Sequence, residues 1–169
     1  YLANEMIWSL PSINLKTGNM FFGTIYSVFN NILSYNVEGG EQRWKTGGIG
    51  ATAATTMLTS YKEKGGVIVG SYDGQLRCVA QDSGKTLWKV GMRDHIYSSP
   101  AQLSDGTIIQ PSADGTVYAL DPSNGEIAVR TAASVKICRK TADICSIPHR
   151  SVLLCRRFLT VWRPTRLLP

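Results

Sequence analysis

The residues best suited to bind a metal lie near the C terminus of the chain. Three cysteines, Cys138, Cys145 and Cys155, are accompanied there by His149. Thiolate and imidazole groups are the usual ligands of structural zinc. The intervening gaps of six, three and five residues contain none of the C-x-x-C pairs typical of such sites. The spacing therefore argues against a metal centre, and we assign no metal ligand.

Two other motifs imitate parts of catalytic or cofactor sites. The pair Asp94-His95 precedes Ser98 and Ser99, which resembles a base beside a nucleophile. The serines, however, belong to a pattern that recurs along the chain, and Asp94-His95 lies in its variable loop. The glycine-rich segment 47–50 follows a predicted strand but opens no helix and lacks the lysine of a phosphate loop. We predict structural roles for all of them and assign no catalytic or cofactor-binding residue.

The charge of the chain is unevenly distributed. The 169 residues carry a formal net charge of +6. Residues 1–129 hold nine Lys/Arg and eleven Asp/Glu, whereas residues 130–169 hold nine and one. The body therefore shows no basic signature of a specific nucleic-acid partner, and the two parts are different kinds of sequence. No run of 18 apolar residues occurs, so the sequence predicts no transmembrane helix.

Internal repetition is the strongest signal in the body. Three segments align, ILSYNVEGGEQRWK from Ile32, LRCVAQDSGKTLWK from Leu76 and VYALDPSNGEIAVR from Val117. Their shared glycines, Gly40, Gly84 and Gly125, are 44 and 41 residues apart. This period is typical of four short strands and their turns. The segments IGATAA and IYSSPA, which follow the first two units, also align from their isoleucines, and about eleven strands are predicted in total.

Each unit alternates strand and turn signals. Short β-branched runs end at Asp73-Gly74 and Asp114-Gly115, the dipeptide that favours a tight hairpin. Strands of period 2 follow, and each ends at the shared glycine, which we expect in a left-handed turn conformation. Such four-stranded sheets bury both faces only by stacking on one another. The sequence thus predicts an all-β fold, an incomplete β-propeller of about two to three four-stranded antiparallel blades.

The repeat resembles a known family. The motif DG-x-(L/V)-x-(C/A)-(V/L)-x-x-x-(S/N)-G-(K/E)-x-x-W, with SSPA about ten residues later, is similar to the PQQ-like (quinoprotein-like) β-propeller repeat, and residues 112–127 match it best. The resemblance implies that Trp44 and Trp88 lock neighbouring blades together. Val129 replaces the expected tryptophan in the third unit. A quinone-dependent dehydrogenase would also require an adjacent Cys-Cys pair, which the sequence lacks, so we carry over no cofactor.

Domain boundaries follow from the pattern. Residues 1–23 form a divergent or truncated repeat segment, because the turn-like NLKTG ending at Gly18 lies only 22 residues before Gly40. Residues 24–130 hold the PQQ-like repeats. Residues 131–169 form a basic, Cys- and Arg-rich tail that is irregular or partly helical, with Ser151 to Trp162 as a candidate amphipathic helix. We favour a shifted reading frame near residues 126–130, or disorder; reading the gene in all three frames tests the first.

The sequence leaves several functions open. The first is a non-catalytic propeller segment that acts as a protein-interaction or scaffold module through its loops. The alternative is a fragment of a PQQ- and calcium-dependent alcohol or sugar dehydrogenase, and a third is a propeller joined to another enzyme domain. The resemblance favours a periplasmic or other extracytoplasmic location. The small-molecule ligand stays unknown.

Overall fold

The described part of the molecule is built from β-strands alone. The computed structural model describes residues 6–25, 31–60 and 65–132. These residues form twelve strands in three four-stranded antiparallel sheets, each with its strands in sequential order. The predicted all-β class and the incomplete propeller of two to three blades are confirmed. Within the described ranges, no helix is long and apolar enough to span a membrane.

Each sheet is one blade of about 35 residues. Blade 1 consists of β1 (Ser12–Asn14), β2 (Asn19–Gly23), β3 (Asn31–Asn36) and β4 (Gln42–Gly47). Blade 2 consists of β5 (Met57–Thr59), β6 (Gly66–Gly70), β7 (Gln75–Ala80) and β8 (Thr86–Gly91). Blade 3 consists of β9 (Ala101–Gln102), β10 (Ile108–Pro111), β11 (Thr116–Leu120) and β12 (Ile127–Ala132).

Blade 2 is buried on both faces, which explains its continuous apolar strands. Val67, Val69 and Val79 pack with Phe21 and Ile32 of blade 1. The residues between them in the strands point the other way, and Ile68, Leu76 and Cys78 pack with residues of blade 3 that include Ile108, Tyr118 and Leu120. Because successive side chains of a strand point to opposite faces, the central strands of a sheet between two others are apolar at nearly every position, and Arg77 is the buried exception in β7.

The two tryptophans occupy equivalent positions between blades. Trp44 donates its indole N–H to the Gln81 carbonyl at 2.8 Å and covers Gly84. Trp88 donates to the Pro122 carbonyl at 3.0 Å and covers Gly125 in the same way. A Cβ atom on either glycine would overlap the indole ring, and both glycines have positive φ. Glycine is thus required at each position for two reasons: the backbone is left-handed, and the indole ring leaves no room for a Cβ atom.

Gly18 does not lie in the turn to which the sequence alignment assigned it. It lies between β1 and β2, where Gly65 and Gly106 lie in blades 2 and 3, whereas Gly40, Gly84 and Gly125 lie between the third and fourth strands. The 22-residue interval therefore joins two turns of one complete blade. The boundary after residue 23 falls inside a sheet, because β2 pairs with β3 from Asn19↔Asn36 to Gly23↔Ile32.

The register of the segments that cross from one blade to the next also differs from the sequence alignment. Thr52 packs on Gly23 and Ile96 packs on Gly70, and their N–H groups donate to Thr24 and Ser71 carbonyls at 3.1 and 3.2 Å. Thr52, not Ile49, is the counterpart of Ile96. The alignment of the two isoleucines is therefore wrong by three residues. Contacts between the blades set this register, whereas the alignment matched residues by their apolar character alone.

Residues 6–11 occupy the place of such a crossing segment at the start of blade 1. The Ile25 N–H donates to the Met6 carbonyl at 2.9 Å, the same bond that Tyr72 makes to Ala51 and Ala113 makes to His95. The sequence IWSLPS from Ile7 accordingly matches IYSSPA from Ile96. Ile7 is 45% exposed whereas Ile96 is fully buried, because Ile96 packs against a blade that precedes it in the chain.

The last described strand extends into the proposed tail. β12 pairs with β11 as far as Thr116↔Ala132, with an irregularity next to Ala119. Strand structure therefore continues two residues past the predicted repeat boundary at residue 130, because the edge of β11 offers partners to residues 129–132. Residues 133–169, with the cysteine cluster, the candidate helix and most of the proposed frame-shifted segment, lie outside the described residues, so those predictions stand as predictions.

Candidate protein-interaction face

One end of the blades carries both the tight Asp-Gly turns and the crossing segments, and we call it the crossing face. It comprises the turns 71–74 and 112–115 and the crossing segments 48–56 and 92–100. Strand direction alternates in an antiparallel sheet, so the other two turns of each blade lie at the opposite end. Most of the motifs singled out in the sequence fall on the crossing face.

The Asp73 turn is held by a buried arginine. Arg77 donates from Nη2 to Asp73 Oδ2 at 2.5 Å and from Nη1 to Ser71 Oγ at 2.7 Å. The same Nη1 also donates to the Ile49 carbonyl at 3.2 Å, which ties the turn to the preceding crossing segment. Burial acts to raise the pKa of Asp73, but the hydrogen bonds from Arg77, Ser71 and the Gln75 N–H outweigh it and lower the pKa below 3.8.

Blade 3 builds the equivalent turn with different chemistry. Tyr118 occupies the position of Arg77 and donates its hydroxyl proton to Asp114 Oδ2 at 2.6 Å, and the Thr116 N–H donates to Oδ1 at 2.8 Å. Desolvation, followed by the bond to Asp114, raises the pKa of the Tyr118 phenol. Each turn carboxylate is thus occupied by a partner from its own blade, as the sequence predicts for aspartates that cap turns.

The Asp73–Arg77 pair makes stability depend on pH. Because the folded pKa of Asp73 lies below 3.8, the pair stabilises the folded state fully above that range, and the contribution declines as the pH falls from 3.8 through the lowered folded value. We expect Asp73→Asn, in the intact parent protein, to flatten the fall in the free energy of unfolding between pH 6 and pH 3, measured by urea denaturation. Asp82→Asn, at an exposed turn, is the matched control. Equal pH profiles for wild type and Asp73→Asn would contradict the assignment.

The structure does not bring His95 and the two serines together as a base and a nucleophile. Ser98 donates its hydroxyl to the Pro111 carbonyl at 2.9 Å, and Ser99 Oγ accepts the Thr55 N–H at 2.9 Å. His95 directs Nδ1 at the Tyr72 carbonyl, and Asp94 Oδ1 accepts the His95 backbone N–H at 2.7 Å. The serines therefore tie crossing segments and strands together, while His95 belongs to a separate group of side chains. Gly47 ends β4, and residues 48–50 begin the connection to blade 2.

An aromatic cluster stands at the junction of blades 2 and 3. The ring centroids of Tyr72 and Tyr97 lie 4.7 Å apart with their planes at 75°, and those of His95 and Tyr97 lie 5.7 Å apart. Tyr97 is 51% exposed. A cleft of about 260 Å³ adjoins the cluster, and its lining includes Tyr72, Met92, Arg93, Asp94 and His95. Clustered, exposed aromatic side chains of this kind are typical of protein-binding surfaces.

A larger cleft of about 800 Å³ opens at the opposite end of blades 1 and 2. Asn14 and Gln81 meet there, with Asn14 Nδ2 donating to Gln81 Oε1 at 2.7 Å, and Leu15 and Lys16 stand at the rim. The amide pair joins the two blades. Within the described residues, no group of three or more His, Cys, Asp or Glu side chains gathers in a metal-binding arrangement.

Known proteins share this repeat. Residues 72–148 match a family model described as outer membrane protein assembly factor BamB. The crystal structure of BamB from Moraxella catarrhalis superposes with a TM-score of 0.65 at 21% identity, over 77% of this chain and 39% of that one. The three sheets have the fold of β-propeller blades, and residues 72–148 carry the matched repeat.

A designed protein has the same architecture. The crystal structure of the computationally designed Ika8 protein superposes on the three blades with a TM-score of 0.60 at 16% identity, over 75% of this chain and 36% of that one. No curated protein sequence matches the chain significantly. At these identities the structural likeness establishes the fold alone. The chain spans less than two-fifths of either structure, and the family match extends beyond the last described residue.

The sequence pattern of the blades did not predict the aromatic cluster. Tyr72 lies within a repeated turn and Tyr97 within a repeated crossing segment, so both read as parts of the scaffold. The signal is visible only when the crossing segments are aligned in the register of the structure. In that alignment the equivalents of Asp94, His95 and Tyr97 are Gly50, Ala51 and Ala53.

Proposed function

We propose that these PQQ-like blades belong to a non-catalytic protein-interaction module that binds its partner through the crossing face. The proposal is supported by a contrast on that face: its polar groups are hydrogen-bonded within the protein, whereas its aromatic side chains are exposed to solvent. Asp73 and Asp114 are occupied within their own blades, and Ser98 and Ser99 hold backbone groups. Large aromatic side chains, in contrast, project from the crossing segment into solvent, where they offer contact area at little entropic cost.

The family match suggests the setting of this module. The matched model is described as an outer membrane protein assembly factor. We infer that the parent protein works outside the cytoplasm and binds a component of the machinery that assembles outer-membrane proteins. Cys78, the one cysteine of the described residues, is buried and burial raises its pKa to about 12, so it is an unreactive core residue that suits either compartment.

The first experiment asks whether the intact parent binds a partner. We expect the tagged parent, purified from its own cell envelope, to retain one assembly component in constant ratio, and a tag on that component to recover the parent. The second asks whether it is a dehydrogenase. Isothermal titration of the parent with pyrroloquinoline quinone and Ca²⁺ is expected to show no saturable binding. Micromolar binding together with dye-linked alcohol oxidation would overturn the proposal in favour of a PQQ- and calcium-dependent dehydrogenase.

A further inference from the structure

We propose that the cleft beside Tyr72, Asp94 and His95 receives an arginine side chain of a protein partner. The inference deepens the proposed function, on which it rests, because it assigns a place on the crossing face and a chemistry to the contact. It derives from three features of the described residues: a comparison between two blade junctions, the state of the carboxylates, and the shape of the aromatic cluster.

The two blade junctions provide an internal control. At each junction the crossing segment makes the same two backbone hydrogen bonds, Tyr72 N–H to Ala51 and Thr52 N–H to Thr24 at one, Ala113 N–H to His95 and Ile96 N–H to Ser71 at the other. Between blades 1 and 2 these bonds form with small side chains at Gly50, Ala51 and Ala53. Blade packing therefore does not require Asp94, His95 and Tyr97 at the second junction, and large groups that packing does not require indicate recognition.

Asp94 is the carboxylate of this cleft that remains available to a cation. Asp73 is bound by Arg77, and Asp114 on the next turn accepts from Tyr118. The side chain of Asp94 is 47% exposed, and its contacts are the His95 N–H and, at 4.0 Å, the His95 Nε2 atom. Among the described residues, no lysine or arginine pairs with it. Arg93 is the one basic side chain that lines the cleft besides His95. Because Arg77 neutralises Asp73, the exposed Asp94 carboxylate is the group of the lining that a cationic ligand can pair with.

The aromatic cluster selects the kind of cation. A guanidinium is planar and stacks on an aromatic face while its N–H fork binds a carboxylate, whereas an ammonium is a compact, strongly hydrated charge. Tyr72, His95 and Tyr97 supply ring faces and edges within 6.0 Å of one another, next to the Asp94 carboxylate. A planar, positively charged group can stack on these rings while it binds the carboxylate, and arginine is the natural residue whose side chain ends in such a group.

The test uses the intact parent protein and three blocked tripeptides, Gly-Arg-Gly, Gly-Lys-Gly and Gly-citrulline-Gly, followed through the tyrosine ring resonances in NMR titrations. We expect the arginine peptide to shift the Tyr72 and Tyr97 signals saturably and to bind at least about fivefold more tightly than the uncharged citrulline peptide, which keeps the planar shape. Equal binding of arginine and citrulline, or tighter binding of lysine, would overturn the proposal.

The matched variant converts the second junction into the first. Asp94→Gly, His95→Ala and Tyr97→Ala together copy the residues of the blade 1–2 junction, and we expect this triple variant to keep the melting temperature and lose the arginine response. Asp94→Asn alone is expected to weaken arginine binding about threefold or more while leaving citrulline binding unchanged, and it decides the matter if the triple variant misfolds. Unchanged arginine binding in either folded variant would refute the site.

Failure of this inference and failure of the proposed function are distinguishable. If the parent co-purifies with an assembly component but the arginine peptide does not shift Tyr97, the module binds through another surface and the arginine cleft is refuted. If the peptide binds and the triple variant abolishes that binding, yet the parent is isolated alone from its envelope, the cleft is supported and the assembly role fails.

Discussion

Replacing Trp88 by alanine is expected to lower the free energy of unfolding of the intact parent by about 3–5 kcal/mol, the range for truncation of a buried aromatic side chain. Trp88 is 8% exposed, packs in the core between blades 2 and 3, and donates its indole N–H to Pro122. The substitution removes the plate that covers Gly125 and leaves the Pro122 carbonyl without this donor. Urea denaturation of the parent measures the change.

Two further variants show whether the loss comes from the interface between blades. Leu87→Ala, beside Trp88 on the same strand but 38% exposed, is expected to cost much less, about 1 kcal/mol or below. Gly125→Ala places a methyl group against the indole ring at a positive φ, so it destabilises the wild type. Its cost is expected to shrink in the Trp88→Ala background, because the ring that it meets is gone. A loss below about 1 kcal/mol for Trp88→Ala would contradict the docking role.

The second large effect concerns the 169-residue chain by itself. We expect it to be aggregated or molten, to bind a hydrophobic dye and to show no cooperative thermal transition. Gly40, the counterpart of the covered Gly84 and Gly125, has no atom of the described residues within 4 Å of the position of a Cβ atom. Trp8 and Leu10 in the first crossing segment are 57% and 75% exposed. Within the described ranges, blade 1 therefore presents a docking surface that no tryptophan covers, and exposed apolar surface of this kind drives association.

The surface of blade 3 around Val129, on β12, supports the same expectation. Val129, at the position of Trp44 and Trp88, is 49% exposed. A second copy of the chain would offer Val129 and not an indole to the Gly40 surface, so head-to-tail association of copies cannot reproduce the contact between blades 1 and 2. Size-exclusion chromatography with scanning calorimetry checks the prediction. A monodisperse monomer with a sharp melting transition would show that it is wrong.

Local features of the blades could be predicted from the sequence. Asp-Gly, Ser-Gly and Asn-Gly pairs mark turns because few residues other than glycine adopt positive φ, and Gly74, Gly84, Gly115 and Gly125 all do so. Period-2 strands between these turns gave the blades. The fixed spacing from Gly40 and Gly84 to Trp44 and Trp88 gave the docking residues. All of these signals arise within a few residues of one another along the chain.

What the sequence by itself determined is therefore the identity of the repeat, its turns and its docking tryptophans. Only the tertiary structure decided the register of the crossing segments, the place of Gly18 and the grouping of Tyr72, Asp94, His95 and Tyr97. The crossing segments lie outside the hairpins; hydrogen bonds to the preceding and following blades, together with contacts on Gly23 and Gly70, fix their register. Bonds of that kind join residues distant in the sequence, so no local pattern encodes them, and a site built from them appears only once the blades are stacked.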